Sequence, residues 1–227
     1  MCSFFSQILT QECLLCTAAD GGDLGLCASC QQDLPWHKAP CCPQCALPSS
    51  QGLLCGHCLT SPPAFDHTHA LLRYDFPLDA MLQGYKYRDM LHMARVFGHL
   101  LAESVKARPR PDRLIPMPLH PLRLRERGYN QSLEVARVIS KALDIALDYS
   151  SCERIKFTPP QASLPLKARA SNMKGAFACH ASLAGERVVL LDDVMTTGAS
   201  LQALAKAIKK AGAADVECWV IARTLPR

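Results

Sequence analysis

The spacing of apolar residues after residue 60 predicts strands that alternate with helices. Short apolar runs, typical of buried strands, occur at residues 69–74, 114–117, 187–191 and 216–222. Apolar residues at helical spacing predict amphipathic helices over residues 78–87, 90–106, 129–143 and 199–211. A Pro- and Arg-rich loop is predicted over residues 118–128, and a turn over residues 192–198.

This alternation predicts the fold class. Parallel strands joined by helices require right-handed crossovers, so we predict an α/β fold with a mostly parallel sheet and flanking helices. Two stretches have a weaker pattern. Residues 146–157 could hold one or two short strands, and the polar, proline-bearing residues 158–174 are predicted to form a loop around a short helix.

The first sixty residues follow a different pattern, which is set by cysteine. Ten of the 13 cysteines lie there, and eight of them form four Cys-x-x-Cys pairs. Ten residues separate the first pair from the second, and nine separate the third from the fourth. The segment therefore consists of two copies of one motif, each with four thiols.

Two such pairs facing each other make the closed, tetrahedral four-cysteine site of structural zinc. We predict two structural Zn²⁺ sites in a tandem zinc ribbon, and a closed site excludes zinc catalysis. A cross-braced pairing uses the same residues, and an iron–sulfur cluster is the minor competitor. In the sequential pairing, the ligands are Cys13, Cys16, Cys27 and Cys30 for one site and Cys42, Cys45, Cys55 and Cys58 for the other.

Charge divides the chain at the same place. Residues 1–60 hold one Lys against four acids, a net charge of −3, whereas residues 61–227 carry a net charge of +8. With a Ser-Pro-Pro linker at residues 61–63, this predicts a small zinc-ribbon domain over residues 1–60 and a larger domain over residues 61–227. Any basic surface for nucleic acid belongs to the larger domain.

The hydropathy pattern indicates where in the cell the protein is found. No apolar stretch approaches the roughly 20 residues of a membrane span, and residues 1–10 lack the features of a signal peptide. We therefore expect no membrane span and a cytoplasmic protein. Thiols stay reduced in the cytoplasm, which favours metal binding over disulfides.

The most informative stretch is residues 188–200, with the sequence VVLLDDVMTTGAS. An apolar strand leads into two acids, then into hydroxyl residues and a glycine, then into a helix. Helix N-termini bind anions, and ligands bind beyond the carboxyl ends of parallel strands. The two acids would repel a bare phosphate, so the pattern favours a sugar phosphate with vicinal hydroxyls or a ligand that carries Mg²⁺. A capped helix after a core strand is the structural alternative.

These residues resemble the 5-phosphoribosyl-1-diphosphate (PRPP) fingerprint of type I phosphoribosyltransferases. The resemblance implies that Asp192 and Asp193 are the catalytic acids and hold the ribose hydroxyls of Mg²⁺-PRPP. It also implies a diphosphate loop at residues 118–127. By the same resemblance, the residues around the 5′-phosphate are Met195, Thr196, Thr197, Gly198, Ala199 and Ser200.

The whole chain resembles the ComF/GntX family, in which a double zinc ribbon precedes a phosphoribosyltransferase domain. Residues 125–131 (RERGYNQ) and 84–88 (GYKYR) match family stretches, and the second makes Lys86 a basic contact of the ligand. A later family pattern is matched by Gln161, Leu164, Arg169, Asn172, Ala176 and Phe177.

The resemblance and the basic charge imply two functions. The first is a competence protein that handles single-stranded DNA in natural transformation and binds PRPP or a related ligand, with the zinc ribbons contacting a protein of the DNA-uptake machinery. The second is a Mg²⁺-dependent phosphoribosyltransferase acting on a nucleobase or another nitrogen nucleophile. Arg123, Arg125 and Arg127 could clamp PRPP, follow a single strand beside Tyr129 and Phe157, or form a solvated basic face.

Overall fold

The computed structural model describes residues 11–87, 90–157 and 173–226. Its strands are β1 (His67–Arg73), β2 (Arg113–Pro116), β3 (Ala146–Leu147), β4 (Cys152–Arg154), β5 (Phe177–Cys179), β6 (Arg187–Met195) and β7 (Asp215–Arg223). Its α-helices are α1 (Ala28–Gln32), α2 (Gly56–Thr60), α3 (Leu78–Tyr87), α4 (Met93–Val105), α5 (Pro121–Arg127), α6 (Gln131–Leu143) and α7 (Ala199–Lys210). The predicted loop at residues 158–174 lies outside the described residues except for its last two, as do Arg88, Gln161, Leu164, Arg169 and Asn172.

Five strands form one sheet in the order β1-β7-β6-β2-β3, and every neighbouring pair is parallel. Strands β4 and β5 form a separate antiparallel pair. The prediction of an α/β fold with a parallel sheet and flanking helices is confirmed.

Both faces of the sheet are covered, which explains the continuous apolar runs of its central strands. Val189 and Leu191 of β6 belong to a hydrophobic cluster that includes residues of α3, α4 and α6. Val188 and Leu190 point to the other face and belong to a cluster with α7. Alternate residues of one strand thus serve two cores.

The prediction of a loop over residues 118–128 is wrong for α5. Pro121 occupies the first turn of that helix, where its missing N–H costs nothing. His120 caps the helix by accepting from the Leu122 N–H, and Gly128 ends it with a φ of 81°. The prolines of this segment therefore start a helix, although they suggested a loop.

The predicted turn at residues 192–198 begins too early. Strand β6 continues to Met195 because β7 is long enough to pair with it, with Asp192 opposite Val220 and Met195 opposite Arg223. Asp192 and Asp193 are therefore strand residues, held more rigidly than turn residues would be.

The first part of the chain packs against the edge strand β1. The apolar residues Leu26 and Leu34 join the cluster that includes α3, α4 and α6. Three backbone hydrogen bonds link this segment to β1, namely His37 N to Leu71 O (3.1 Å), Arg73 N to Pro35 O (2.7 Å) and Thr68 N to Pro43 O (2.9 Å). These bonds cover part of the sheet edge that β1 would otherwise leave open.

Across residues 11–87, 90–157 and 173–226, no helix has both the length and the apolar character needed to cross a membrane.

Candidate functional site

The eight paired cysteines form two separate clusters, and within each cluster the four sulfur atoms lie within 4.8 Å of one another. The structure groups them sequentially rather than in a cross-braced arrangement. One cluster contains Cys13, Cys16, Cys27 and Cys30, and the other contains Cys42, Cys45, Cys55 and Cys58.

The spacing of the sulfurs fits zinc. A tetrahedron with Zn–S bonds of about 2.3 Å has edges of about 3.8 Å. The Cys16 and Cys27 sulfurs are 3.7 Å apart, and those of Cys45 and Cys55 are also 3.7 Å apart. The Cys27 backbone N–H donates to the Cys13 sulfur at 3.4 Å. All four positions of each site are filled by cysteine, so zinc would supply folding free energy there rather than catalysis.

The electrostatics of these thiols also favour a bound cation. Burial opposes ionisation of Cys13, yet backbone N–H donors, that of Cys27 first among them, lower its pKa to about 6. The neighbouring thiols of Cys16 and Cys27 raise the pKa of Cys30. Four closely packed thiols therefore cannot all ionise unless a cation balances their charge.

The second site lies at the carboxyl edge of the main sheet, where β6 ends. The carboxylate of Asp193 pairs through Oδ2 with the Lys86 ammonium at 2.8 Å, and the same oxygen accepts from Gln131 Nε2 at 3.2 Å. Asp192 Oδ1 accepts from the Asp193 N–H at 2.9 Å and from the Ser132 hydroxyl at 3.4 Å. The two acids thus have different surroundings, and within the described residues only Asp193 has an ion-pair partner.

These surroundings move the two carboxyl groups in opposite directions. Burial raises the pKa of Asp192 to about 7, and the charge of Asp193 adds to the effect. Burial also opposes ionisation of Asp193, but Lys86 outweighs it and lowers the pKa of that carboxyl. Asp193 raises the pKa of Lys86 in return, against the effect of burial. Near neutral pH, Asp193 is ionised and Asp192 is close to its titration point.

Hydrogen bonds between helices place the residues that hold Asp193. The buried Tyr85 donates its hydroxyl to the Gln131 carbonyl at 2.8 Å, which ties α3 to the start of α6. Tyr129 donates in turn to the carbonyl of Tyr85. Asn130 caps α6 and donates to the Met117 carbonyl at 3.1 Å, which fixes α6 to the end of β2.

The loop after β6 leads directly into α7. Gly198 has a φ of 78°, in the region that favours glycine, and a Cβ there would lie 2.8 Å from Met195 Cε. The Thr197 side chain is exposed, and its hydroxyl accepts from the Ala199 N–H at 3.3 Å. Met195 is only 2% exposed, and its side chain packs in the core against Gly198.

Two of the three arginines of α5 lie beside aromatic side chains. Arg123 sits 5.5 Å from the ring centre of Phe157, and Arg127 sits 5.6 Å from that of Tyr87. Tyr87 is 73% exposed and Phe157 is 46% exposed, so both rings are accessible. Arg125 is exposed.

Arg127 also joins the α5 surface to the acids. Its Nη1 donates to Gln131 Oε1 at 2.5 Å, and Gln131 donates to Asp193. The structure therefore brings together Lys86, Arg127, Asp192 and Asp193, four of the predicted site residues. Arg123 instead pairs with Glu126 at 2.7 Å.

Three residues of this edge were not among the predicted site residues. Gln131 and Ser132 contact the acids from the first turn of α6, and Arg223 contacts the loop from the end of β7. Gln131 stood within the matched RERGYNQ stretch. Arg223 had a weaker signal, since it is a charged residue that directly follows the apolar run of residues 218–222 in β7.

Comparisons with family models match two parts of the chain. Residues 4–59 match the double zinc ribbon domain, and residues 129–225 match the phosphoribosyl transferase domain. Among solved structures, a purine phosphoribosyltransferase from Pyrococcus horikoshii is 22% identical, with a TM-score of 0.37, over 57% of this chain and 82% of that one.

Relatives match nearly the full length. DNA utilization protein YhgH of Salmonella typhi is 32% identical over 208 residues, which cover 88% of this chain and 91% of that protein. Competence protein F of Haemophilus influenzae is 32% identical over 209 residues, covering 88% and 90%. Competence protein ComFC of Bacillus subtilis is 26% identical over 239 residues, covering 98% and 92%.

Proposed function

Because the chain belongs to the family of DNA utilization protein YhgH and competence protein F, we propose that it handles single-stranded DNA during natural transformation. The resemblance to the ComF/GntX family is confirmed, and the chain combines a double zinc ribbon with a phosphoribosyltransferase-like fold. The proposal includes a binding site for PRPP or a related phosphoribosyl ligand. It also places the chain in the cytoplasm, where its thiols stay reduced.

The observation that carries the ligand proposal is the pair of acids beside residues 196–200. These residues are the turn after β6 and the first two residues of α7, and are called here the Thr196–Ser200 loop. Asp193 is 5% exposed and engaged by Lys86, whereas Asp192 is half-buried and has no ion-pair partner in the described part of the chain. Asp192 is therefore the acid available to accept hydrogen bonds from ribose hydroxyls. The loop amides and the N-terminus of α7 would receive the 5′-phosphate.

Mg²⁺ would arrive with the ligand. Carboxylate oxygens are the donors that Mg²⁺ prefers, and Asp192 and Asp193 offer them at this edge. The ion would neutralise charge on the diphosphate. Arg125 and Arg127 of α5 would contribute further positive charge on the same side.

Titration calorimetry of the full-length protein with Mg²⁺-PRPP tests the ligand site. Asp192→Asn should weaken binding about tenfold or more, because a charged acceptor for the ribose hydroxyls is lost. Asp112→Asn is the matched control, since Asp112 caps the Arg187 N–H at the opposite edge of the sheet and should leave affinity unchanged. Absence of PRPP binding by the unmodified protein would overturn the ligand proposal.

The α5 surface supports the DNA proposal. Grooves for single strands combine positive charge with aromatic rings on which bases stack. Arg123, Arg125 and Arg127 supply the charge, and Tyr87 and Phe157 supply exposed rings. Binding through phosphate contacts should weaken steeply as salt rises.

Filter binding to a single-stranded oligonucleotide over a salt series tests this surface. Arg125→Glu should lower affinity and reduce the slope of log K against log salt by about 0.7 for one lost phosphate contact. Arg110→Glu makes the same charge change at the amino edge of the sheet, where Arg110 pairs with Asp144, and should alter the slope less. Equal effects of the two variants would show that net charge, not the α5 surface, governs binding.

A second function, Mg²⁺-dependent phosphoribosyl transfer, is favoured by the complete Asp-Asp-x-x-Thr-Thr-Gly sequence of residues 192–198. A nitrogen nucleophile would attack C1′ of PRPP with its lone pair. The C1′–O bond would break, diphosphate would leave with the electron pair, and the nitrogen would lose its proton. Asp192 would orient the ribose, the loop would hold the 5′-phosphate, and the α5 arginines would stabilise the leaving group.

Diphosphate release with a panel of nucleobases tests this second function. Release should depend on one base and disappear in Asp192→Asn. If PRPP binds but no base triggers release, the site serves as a sensor or a scaffold for DNA handling rather than for transfer.

The ribbons would contact a protein of the DNA-uptake machinery through the second motif. Leu53, Leu54 and Leu59 are 64%, 44% and 66% exposed there, which makes this an apolar contact surface. Replacing Leu54 and Leu59 with Ser should lower transformation frequency while PRPP affinity stays the same. Unchanged frequency would contradict this role.

A further inference from the structure

A single buried guanidinium joins the second cysteine cluster to the proposed phosphate loop. Arg223, 3% exposed, ends β7. Its Nε donates to the Cys45 carbonyl at 2.9 Å. Its Nη1 donates to the Met195 carbonyl at 2.9 Å, to the Thr224 carbonyl at 2.9 Å and to the Thr196 carbonyl. One side chain thus contacts a cysteine of the second cluster and the first residues of the loop.

Packing around Arg223 strengthens the same connection. Ala46, which follows Cys45, is 1% exposed and shares a hydrophobic cluster with Phe65 and Met195. Gln44 donates its side-chain amide to the Phe65 carbonyl at 3.2 Å. The cysteine knuckle at residues 42–46 therefore lies against the residues on which the loop rests.

The charge of Arg223 makes this arrangement unusual. Burying a cation is costly unless its donors are paired and its charge is offset. Within the described residues no carboxylate forms an ion pair with Arg223, and the acceptors above are backbone carbonyls. Four thiolates around a divalent cation keep a net negative charge. The loaded second cluster would therefore offset the charge of Arg223 through its contact at Cys45.

We propose that Arg223 is a positioning residue that couples metal occupancy of the second cluster to the conformation of the Thr196–Ser200 loop. Loss of the metal would release the knuckle and its carbonyl, and the guanidinium would then hold the loop less firmly. The expected effect of this coupling on ligand affinity rests on the proposed phosphoribosyl site. The coupling between knuckle and loop does not depend on that site.

Hydrogen exchange of the zinc-loaded full-length protein tests the coupling without a ligand. Arg223→Met removes the donors, and Cys55→Ser removes one thiol of the second cluster without touching Arg223. Each should speed exchange of the Ala199 and Gln202 amides about tenfold, because these amides donate to the Thr197 hydroxyl and the Gly198 carbonyl of the loop. The amides of β2 should keep their protection. Arg223→Lys, which retains a charge and some donors, should give an intermediate rate.

Arg113→Met is the matched control for loss of a partly buried arginine. Arg113 pairs with Asp148 and Glu186 at the amino edge of the sheet, far along the strands from the loop. It should lower stability without selective exchange at the loop. The inference is overturned if Cys55→Ser leaves loop exchange unchanged, or if Arg113→Met speeds it as much as Arg223→Met does.

Ligand measurements separate this inference from the proposed function. PRPP should slow zinc release from the second cluster to a chromogenic chelator, and Arg223→Met should abolish that effect, because coupling between two sites is reciprocal. If the unmodified protein binds no PRPP, the proposed function fails while the exchange experiment still decides on the coupling. If PRPP binds equally well to the unmodified protein and to Arg223→Met, this inference fails while the proposed function stands.

Discussion

At the scale of single residues, the two adjacent acids have opposite effects on stability. Asp192 has a pKa of about 7 in the folded protein, against roughly 3.9 for an unperturbed aspartate. Between these values the folded state binds a proton that the unfolded state has released, so stability falls as pH rises from 4 to 7. Asp193 has a lowered pKa because of Lys86 and stabilises the fold until acid protonates it.

Replacing each acid in turn separates these effects. Asp192→Asn should raise the melting temperature at pH 8 by several degrees, and the gain should shrink as pH approaches 4. Asp193→Asn should cost about 3 kcal/mol at pH 8, because it leaves Lys86 without its partner. Thermal melts of both variants at pH 8 and pH 4.5 measure this. Destabilisation of equal size by both would contradict the assigned environments.

At the scale of elements, the site depends on how closely α4 approaches α6. Gly98 of α4 faces Val138 of α6, and a Cβ on Gly98 would lie 2.5 Å from the Val138 Cβ. This close approach lets α6 pack against the sheet with Gln131 and Ser132 beside the acids.

The structure also shows why the sequence pattern does not predict α5. Its proline and its His120 cap are features of a helix start that periodicity alone does not separate from a loop.

This helix contact can be tested by a double-mutant cycle. Gly98→Ala should destabilise the protein by about 1–3 kcal/mol through overpacking, despite the better helix propensity of alanine. Adding Val138→Ala should recover part of that loss, because it removes the Val138 Cγ1 methyl, which a Cβ on Gly98 would meet at 2.7 Å, and leaves the Val138 Cβ in place. Urea denaturation of both single variants and the double variant gives the coupling energy. Additive losses would show that the two residues do not share a contact.

At the scale of the whole molecule, the sequence pattern predicts the sheet better than it predicts the contacts between the cysteine-rich segment and the sheet. The sequence patterns predict most core strands and the cysteine clusters because periodicity and spacing are local signals. Arg223 and the bonds of His37 to β1 join residues far apart in the chain, so no local pattern marks them. The site is partly predictable for the same reason: residues 188–200 form one motif, whereas Gln131 reaches Asp193 only through the fold.

The contact of the first sixty residues with β1 carries a further prediction. Residues 35–43 cover the outer edge of β1, and Leu26 and Leu34 pack into the core beneath it. Residues 61–227 alone would expose an unpaired strand edge and apolar side chains such as Leu71, a combination that favours aggregation.

We therefore expect the 61–227 fragment to self-associate and to melt well below the full-length protein. Size-exclusion chromatography with light scattering and thermal melts measure both quantities. Zinc-loaded residues 1–60 supplied as a separate chain should partly restore the monomer, because they would cover the same edge. A monomeric 61–227 fragment with the melting temperature of the full chain would show that the ribbons do not contribute to the stability of the sheet, and their packing against β1 would then serve only to place the second cluster beside the loop.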